Sequence, residues 1–325
     1  MNEFLARSGR LDAVLSEHLR QSRSQTAALI KSGRVSVNGR ATNKPSFALK
    51  EGDKVKFELP DVSNLNADSN LNCEFEVEIL YEDDDILVVN KPSGLTVHAA
   101  PSVHEPTLVD WLKARGCELA TLNGEIRAGI VHRLDKGTSG AMVVAKNNIA
   151  SANLSAQLSV KTMGRIYLAL IDLPLKENCI ISRPIGRNPA NRLKKAIVAG
   201  GRAAKSAFAS LYQDSNLNTS LVCAKLFTGR THQIRVHLSS INRHILGDNL
   251  YGFKSNNSKI ARIMLHAYEL TLEHPRTGEV LRFVAPPPGE FAEILKIKKE
   301  KFDEIIDPSG LRRAFSSCDS WLRYD

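Results

Sequence analysis

Apolar residues recur at helical spacing near the start of the chain and at strand spacing through most of the rest. In RLDAVLSEHL, Leu11, Val14, Leu15 and Leu19 return every three to four residues, which predicts a helix with one buried face. In SRSQTAALIKSGRV, Ser22 or Ser24 is a candidate cap for a second helix carrying Ala27, Leu29 and Ile30, and Gly33 ends it. VSVNGRATNKPSFALKEGDKVKF then reads as short strands with a tight turn at Asn38-Gly39. Residues 10–57 therefore form one small unit.

Leu59–Asn70 offers little to bury and reads as a linker. In CEFEVEIL, Cys73, Phe75, Val77 and Ile79 alternate with Glu74, Glu76 and Glu78, the pattern of a half-buried strand. The acids at 82–85 are expected in a solvated turn, with divalent-metal binding as the sharper alternative, and ILVVN is a buried strand ending in KPSG. A helix (TLVDWLKARG), a strand (AMVVA), an amphipathic helix (NNIASANLSAQLS) and a strand (RIYLALID) follow. Residues 180–200 are basic and irregular, AAKSAFASLYQ and SLVCAKLFTG read as paired strands, and TGRTHQIRVHLSS is a turn entering a helix with Thr231 as its cap. AYELTLEHPRTGEVLRFVAP predicts a hairpin turning at Pro275–Gly278. Hairpin-like pairs dominate, so the sheet is expected to be antiparallel rather than βαβ-wound.

Charge changes this picture. Residues 1–60 carry eleven Lys/Arg against six Asp/Glu, residues 61–90 carry nine acids and no base, and the remainder brings the net charge to +9. Two basic bodies joined by an acidic connector point to a polyanionic partner, most simply nucleic acid. Five scattered cysteines with no CxxC imply reduced thiols in a cytoplasmic protein, and no apolar run suggests a signal peptide or a membrane span.

The candidate chemistry centres on VHRLDKGTSG, residues 131–140, a polar turn between apolar stretches. Asp135 is its candidate reactive group, with Arg133 before it; the plainer reading is a salt-bridged surface turn. His232 and His237 stand five apart on different helix faces, and no HExxH, cysteine cluster, phosphate-cradling loop or GxSxG is present. The inventory that remains, a carboxylate, arginines and a few aromatics, suits a reaction without metal or cofactor on an anionic polymer.

VHRLDKGTSG resembles the HRLDxxTSG motif of the RluA-type pseudouridine synthases, and YEDDDILVVNKPSGLTVH before it and GRIYLAL, TGRTHQIRVHL, GDNLYG, LHAYELTLEHP and FVAPPP after it stand in the family's order. RLDAVL, SRSQTAALIKSGRVSVNGR and KEGDKVKF resemble the S4 RNA-binding module, a combination similar to the large-subunit ribosomal RNA branch (RluC/RluD-like). The resemblance implies an α+β fold, a mostly antiparallel central sheet with flanking helices behind a small αβ S4 domain. The expected units are an S4-like domain at 1–60, a linker at 61–72, a synthase domain at 73–300 and a tail at 301–325.

By the same resemblance, Asp135 is the catalytic aspartate, acting at the ribose of a uridine either as nucleophile at C1′ or as base at C2′. The C1′–N1 bond breaks, the uracil turns within the site, and it reattaches through C5. Arg235, from HQIR, is implied to keep Asp135 charged, and Tyr167 to stack on the uracil and reach the proton leaving C5. Where the family usually has Lys two residues before that tyrosine, this chain has Arg165. His132 and Arg133 are implied to face RNA, Arg133 as a wedge behind the extruded nucleotide, with Arg230, Thr231, His232 and Gln233 lining the same cleft. Arg23, Lys31 and Arg34 are the expected phosphate contacts of the S4-like unit. The chain is expected to act as a monomer on ribosomal RNA or a ribosomal precursor particle. A transfer-RNA target and a non-catalytic assembly factor are the alternatives, the latter opposed by the presence of Asp135, Tyr167 and Arg235 together.

Overall fold

The computed structural model describes residues 2–19, 23–58, 73–100, 103–122, 124–214, 218–254 and 260–325. The linker expected at 61–72, Ser22 and the side chain of Ser24 lie outside the described residues. The first unit contains β1 (Asn2–Leu5), β2 (Gly9–Arg10), α1 (Leu11–His18), α2 (Arg23–Lys31), β3 (Val35–Val37), β4 (Arg40–Ala41), β5 (Ala48–Leu49) and β6 (Lys54–Phe57). Its main sheet runs β1-β6-β3-β4, and Leu11, Leu15 and Ile30 from the helices pack on Val35, Val55 and Phe57 from the strands. Asn38 and Gly39 join β3 to β4 with φ of 48° and 80°, the doubly positive geometry that a two-residue hairpin turn requires. Asp12 on α1 accepts from Arg10 and from Arg23 at the start of α2, which ties the helices together. The Arg10 hydrogen bond, helped by Arg23 against the cost of burial, holds the Asp12 carboxyl down at about 2.

The second body is built on a ten-stranded sheet. Its chain order begins β7 (Glu78–Glu82), β8 (Ile86–Lys91), α3 (Leu108–Ala114), β9 (Ser139–Ala145), α4 (Asn148–Val160) and β10 (Gly164–Ile171). It continues β11 (Cys179–Ile181), β12 (Ile185–Arg187), β13 (Lys195–Ile197), β14 (Ser206–Asp214), β15 (Thr219–Leu226) and α5 (Gln233–Ser239). It closes with β16 (Leu265–Glu273), β17 (Val280–Val284), α6 (Glu290–Leu295), α7 (Lys299–Ile305), α8 (Pro308–Ala314) and β18 (Leu322–Tyr324). The spatial order is β18-β11-β14-β15-β10-β16-β9-β8-β7, with β17 also beside β16.

The sheet is mixed, which corrects the simpler antiparallel expectation: β9 runs parallel to β16, and β11 parallel to β18. Both parallel pairs join strands far apart in sequence, free of the hairpin geometry that fixes the neighbours. Gly140 makes the first possible. Its φ is 116°, and a Cβ there would collide with the Ala267 backbone.

Three further expectations change. Residues 73–77 alternate in burial as expected, but ladder pairing begins only at Glu78. The stretch at 180–200 contains the antiparallel hairpin β12–β13. The segment beyond Glu300, read from the sequence only as a tail, packs through Phe302, Ile306, Leu311, Phe315 and Cys318 into the main core. All five cysteines are free thiols, and among the described residues no helix is long and apolar enough to cross a membrane.

Candidate active site

Asp135 stands on a turn that a second turn holds in place. Thr138 N–H donates to the Asp135 carbonyl at 3.0 Å, closing the turn that leads into β9. The KPSG segment after β8 lies against it: Gly94 N–H donates to the Lys136 carbonyl at 2.8 Å, and Ser93 Oγ donates to the Gly137 carbonyl at 2.8 Å. Lys91, fully buried, aims Nζ at the carbonyls of Pro92 and Leu95 at 2.7 and 2.8 Å. Burial pulls the Lys91 ammonium down to about 7, against the field of Asp135. The backbone carrying Asp135 is thus fixed from below by ordinary amide chemistry, as a preorganised carboxylate requires.

Arg235 meets it from α5. Its Nη1 donates to Asp135 Oδ2 at 3.2 Å, while Nε and Nη2 form a two-point bridge to Asp248 at 2.7 and 2.8 Å. Arg235 also stacks over the Tyr251 ring, 4.8 Å from its centroid. Burial works against the guanidinium charge, but Asp248 and then Asp135 outweigh it, so the Arg235 pKa is raised. Asp248 is almost wholly buried and was not singled out from the sequence, although its segment GDNLYG was. Its two-point grip fixes the plane of the guanidinium and leaves Nη1 for Asp135. Asp135 Oδ1 takes no hydrogen bond among the described residues.

His232 approaches from the other side, with Nε2 3.8 Å from Asp135 Oδ2. Its Nδ1 lies 2.8 Å from the Tyr251 hydroxyl, which already accepts from Lys195 N–H at 2.7 Å. With Nδ1 bonded to that hydroxyl, Nε2 is the ring nitrogen that faces Asp135. Burial, outweighing the pull of Asp135, lowers the His232 pKa and keeps the ring neutral. His232, not Thr231, is the N-cap of α5; it holds a left-handed φ of 60° and makes no side-chain cap bond. A non-glycine residue is uncommon in that region.

Tyr167 lies buried in the middle of β10, beside a bulge between Ile166 and Tyr167. Bulges re-aim side chains, and this one brings the tyrosine to the wall of a cavity of about 550 Å³ shared with Asp135, Arg235 and His232. Burial raises the Tyr167 pKa, with Arg165 opposing and Asp135 adding to the rise. The three groups expected to act together thus line one hollow.

The flanking residues divide. Arg133 is exposed on the ridge between this cavity and a second one of about 440 Å³, and Thr231 is exposed at the rim. Arg230 is half-buried and donates from Nε to the Ala203 carbonyl. His132 lines the cavity, but its Nε2 accepts from Val143 N–H at 3.1 Å, and burial, helped by Arg165, pulls its pKa down to about 3. Its ring is thereby anchored to the sheet while it lines the cavity. Gln233 lines the same cavity; it accepts from Thr228 Oγ1 and Arg230 N–H and donates to the Lys205 carbonyl and Ser206 Oγ. Those bonds fix the turn before α5. In the first unit, Lys31 and Arg34 are exposed, while Arg23 is engaged with Asp12 at 3.1 Å.

The acids at 82–85 also behave differently from expectation. Asp85 is buried and Asp83 half-buried, and with His274 they form a close cluster. His274 Nδ1 accepts from the Arg276 and Thr277 amides, so Nε2 bears the hydrogen and donates to Asp83 Oδ2 at 2.9 Å. Arg276 grips Asp85 at 2.6 and 2.8 Å, and Asn147 donates to it as well. With its lone pairs engaged this way, the cluster is a clamp between the β7–β8 and β16–β17 turns rather than a metal centre.

Comparison with known proteins places the chain in a family. The family model described as RNA pseudouridylate synthase matches residues 85–240, and the S4 domain model matches residues 9–55. A relative from Helicobacter pylori named as an RNA pseudouridine synthase is 46% identical over 315 residues, covering 94% of this chain and 95% of its own length. Ribosomal large subunit pseudouridine synthase D of Neisseria meningitidis is 38% identical over 326 residues, covering 96% of this chain and 83% of the relative. The solved structure of human RNA pseudouridylate synthase domain containing 1 superposes with a TM-score of 0.54 at 26% identity, covering 79% of this chain and 98% of that one. These matches show that the chain belongs to the RNA pseudouridine synthase family, isomerases of uridine in RNA.

Proposed function

We propose that the chain converts uridines of large-subunit ribosomal RNA to pseudouridine, with Asp135 as its essential group. The observation that carries the assignment of Asp135 is its paired yet unfilled state: Oδ2 rests on Arg235 and Oδ1 is left for substrate. The target class is supported by the S4 match together with the large-subunit enzyme at 38% identity.

In this reading an extruded uridine enters the cavity with its base against Tyr167 and its sugar over Asp135. The carboxylate acts at C1′ as nucleophile or at C2′ as base. Arg235, immobilised by Asp248, steadies the carboxylate charge and needs no reorganisation as the C1′–N1 bond breaks. The freed uracil turns in place, C5 bonds to C1′, the C5 proton leaves towards the Tyr167 hydroxyl, and N1 ends protonated, so no co-reactant is consumed. Arg133 on the ridge fills the gap in the base stack. Lys31 and Arg34 carry the S4 contribution through phosphate contacts.

The test is to map pseudouridine in ribosomal and transfer RNA from cells with and without the gene. Loss of one or more large-subunit positions is expected; loss confined to transfer RNA, or no loss at all, would replace this assignment. For the S4 unit, Lys31→Glu with Arg34→Glu should weaken RNA binding and flatten its log–log salt dependence by about one to two units. An unchanged salt slope in filter-binding titrations would take those residues out of the interface.

A further inference from the structure

Arg165 is the one guanidinium in the cavity wall that is both buried and unpartnered. Only 8% of the residue is exposed, Nε has no hydrogen-bond partner, and no carboxylate lies within ion-pair distance among the described residues. It lines the same hollow as Asp135 and Tyr167, and its Nη1 lies under Gly229, where a Cβ would stand 2.5 Å away. Arg202 and Arg230 line the wall beside it, and the charges of Arg202 and Arg165, after burial, push the Arg230 pKa down. Against this group the wall offers one carboxylate, Asp135, which Arg235 already holds.

A buried, uncompensated cation costs several kcal/mol unless something neutralises it. Uracil is neutral, so a base carbonyl would leave the charge standing; the anion RNA supplies is phosphate, which also matches the planar fork of arginine. Two strand positions separate Arg165 from Tyr167, roughly 7 Å along β10, enough to reach from a sugar beside the tyrosine to an adjoining phosphate. We propose that Arg165, with Arg202 and Arg230, forms a phosphate subsite for the nucleotide whose uridine Asp135 engages. The inference rests on the uridine-isomerase reading of the cavity, and it adds which group of the substrate is gripped and from where. Gly229 is the residue that leaves room for the grip.

The experiment measures binding, not turnover, so it fails separately from the isomerase assignment. The full chain, labelled with ¹⁵N-arginine, is titrated at constant ionic strength with uridine, uridine 5′-monophosphate, uridine 3′-monophosphate and inorganic phosphate. The Arg165 Nε–H resonance is identified by its loss in Arg165→Gln. At least one monophosphate should bind about tenfold tighter than uridine and move that resonance, as inorganic phosphate should too. Arg165→Gln should erase the preference. Gly229→Ala, which displaces the guanidinium while keeping its charge, should reduce it about threefold or more, and serves alone if the glutamine variant does not fold. Equal binding of uridine and both monophosphates, a preference that survives displacement in Gly229→Ala, or an Arg165 resonance that responds to uridine but not to phosphate would each overturn the subsite.

Discussion

Two clusters in this molecule are made of the same parts. In one, Asp83, Asp85, His274 and Arg276 lock two turns together; in the other, Asp135, Asp248, His232 and Arg235 line a cavity. The first has its oxygens filled: Asp83 Oδ1 takes the Asp85 and Ile86 amides and Oδ2 takes Tyr81 and His274, while Asp85 is taken by Arg276 and Asn147. The second uses one acid, Asp248, to immobilise its arginine and leaves an oxygen of the other open. Chemical potential lies in unused hydrogen-bonding capacity beside a hollow, not in the residue types, which the two clusters share.

The sharpest way to break that contrast is Asp135→Asn. Turnover should fall on the order of 10⁴-fold or more, with RNA affinity within about threefold; near wild-type conversion of uridine would remove Asp135 from the mechanism. Asp248→Asn should come next, lowering kcat by about 10- to 100-fold at similar KM, because Arg235 loses the grip that orients it and small misplacements are costly. A KM effect alone would show that Asp248 serves binding instead.

The contrast extends to histidines. His237 and His266 each use both ring nitrogens inside the protein, and burial pulls both to about 4. Their folded pKa values lie below the unfolded value, so between about 6.5 and 4 the unfolded chain takes up protons that the folded chain refuses. Stability should therefore fall as pH drops through that window, by at most roughly 2.7 kcal/mol per pH unit for the two. Urea unfolding at several pH values checks this, and a midpoint that stays flat from 6.5 to 4.5 would contradict it. The smallest expected effect belongs to the closed cluster. Arg276→Leu should lower the urea midpoint slightly, since buried Asp85 keeps the Asn147 hydrogen bond and Arg276 itself is largely exposed. Turnover should stay within twofold, and a large loss of kcat would mean that the clamp also shapes the cavity.

Local elements were legible because their signals are local. The helix faces of Leu11, Leu15 and Ile30, the Asn38-Gly39 turn and the hairpin that starts in AYELTLEH are set by neighbours a few residues apart. The family motifs named Asp135, Tyr167 and Arg235, and the fold gathers them at one cavity. Asp248 stayed hidden because its importance is a pairing across 13 residues and a turn. The internal bonds of His132 and Gln233 were hidden too, because a polar side chain on a motif looks the same whatever its partner. Thr231 was misplaced as a cap because left-handed geometry at His232 starts the helix one residue later.

The sequence by itself determined the elements, the basic character and the family, since periodicity, turn chemistry, charge and ordered motifs are all carried along the chain. Tertiary structure decided what no one-dimensional pattern encodes: the parallel contacts of β9 with β16 and of β11 with β18, the packing of the C-terminal segment, and which charged groups end up paired. Pairing depends on distance and burial between residues up to a hundred or more positions apart. That is why Asp85 is gripped by Arg276 at a closed clamp while Asp135 keeps an open oxygen beside a cavity.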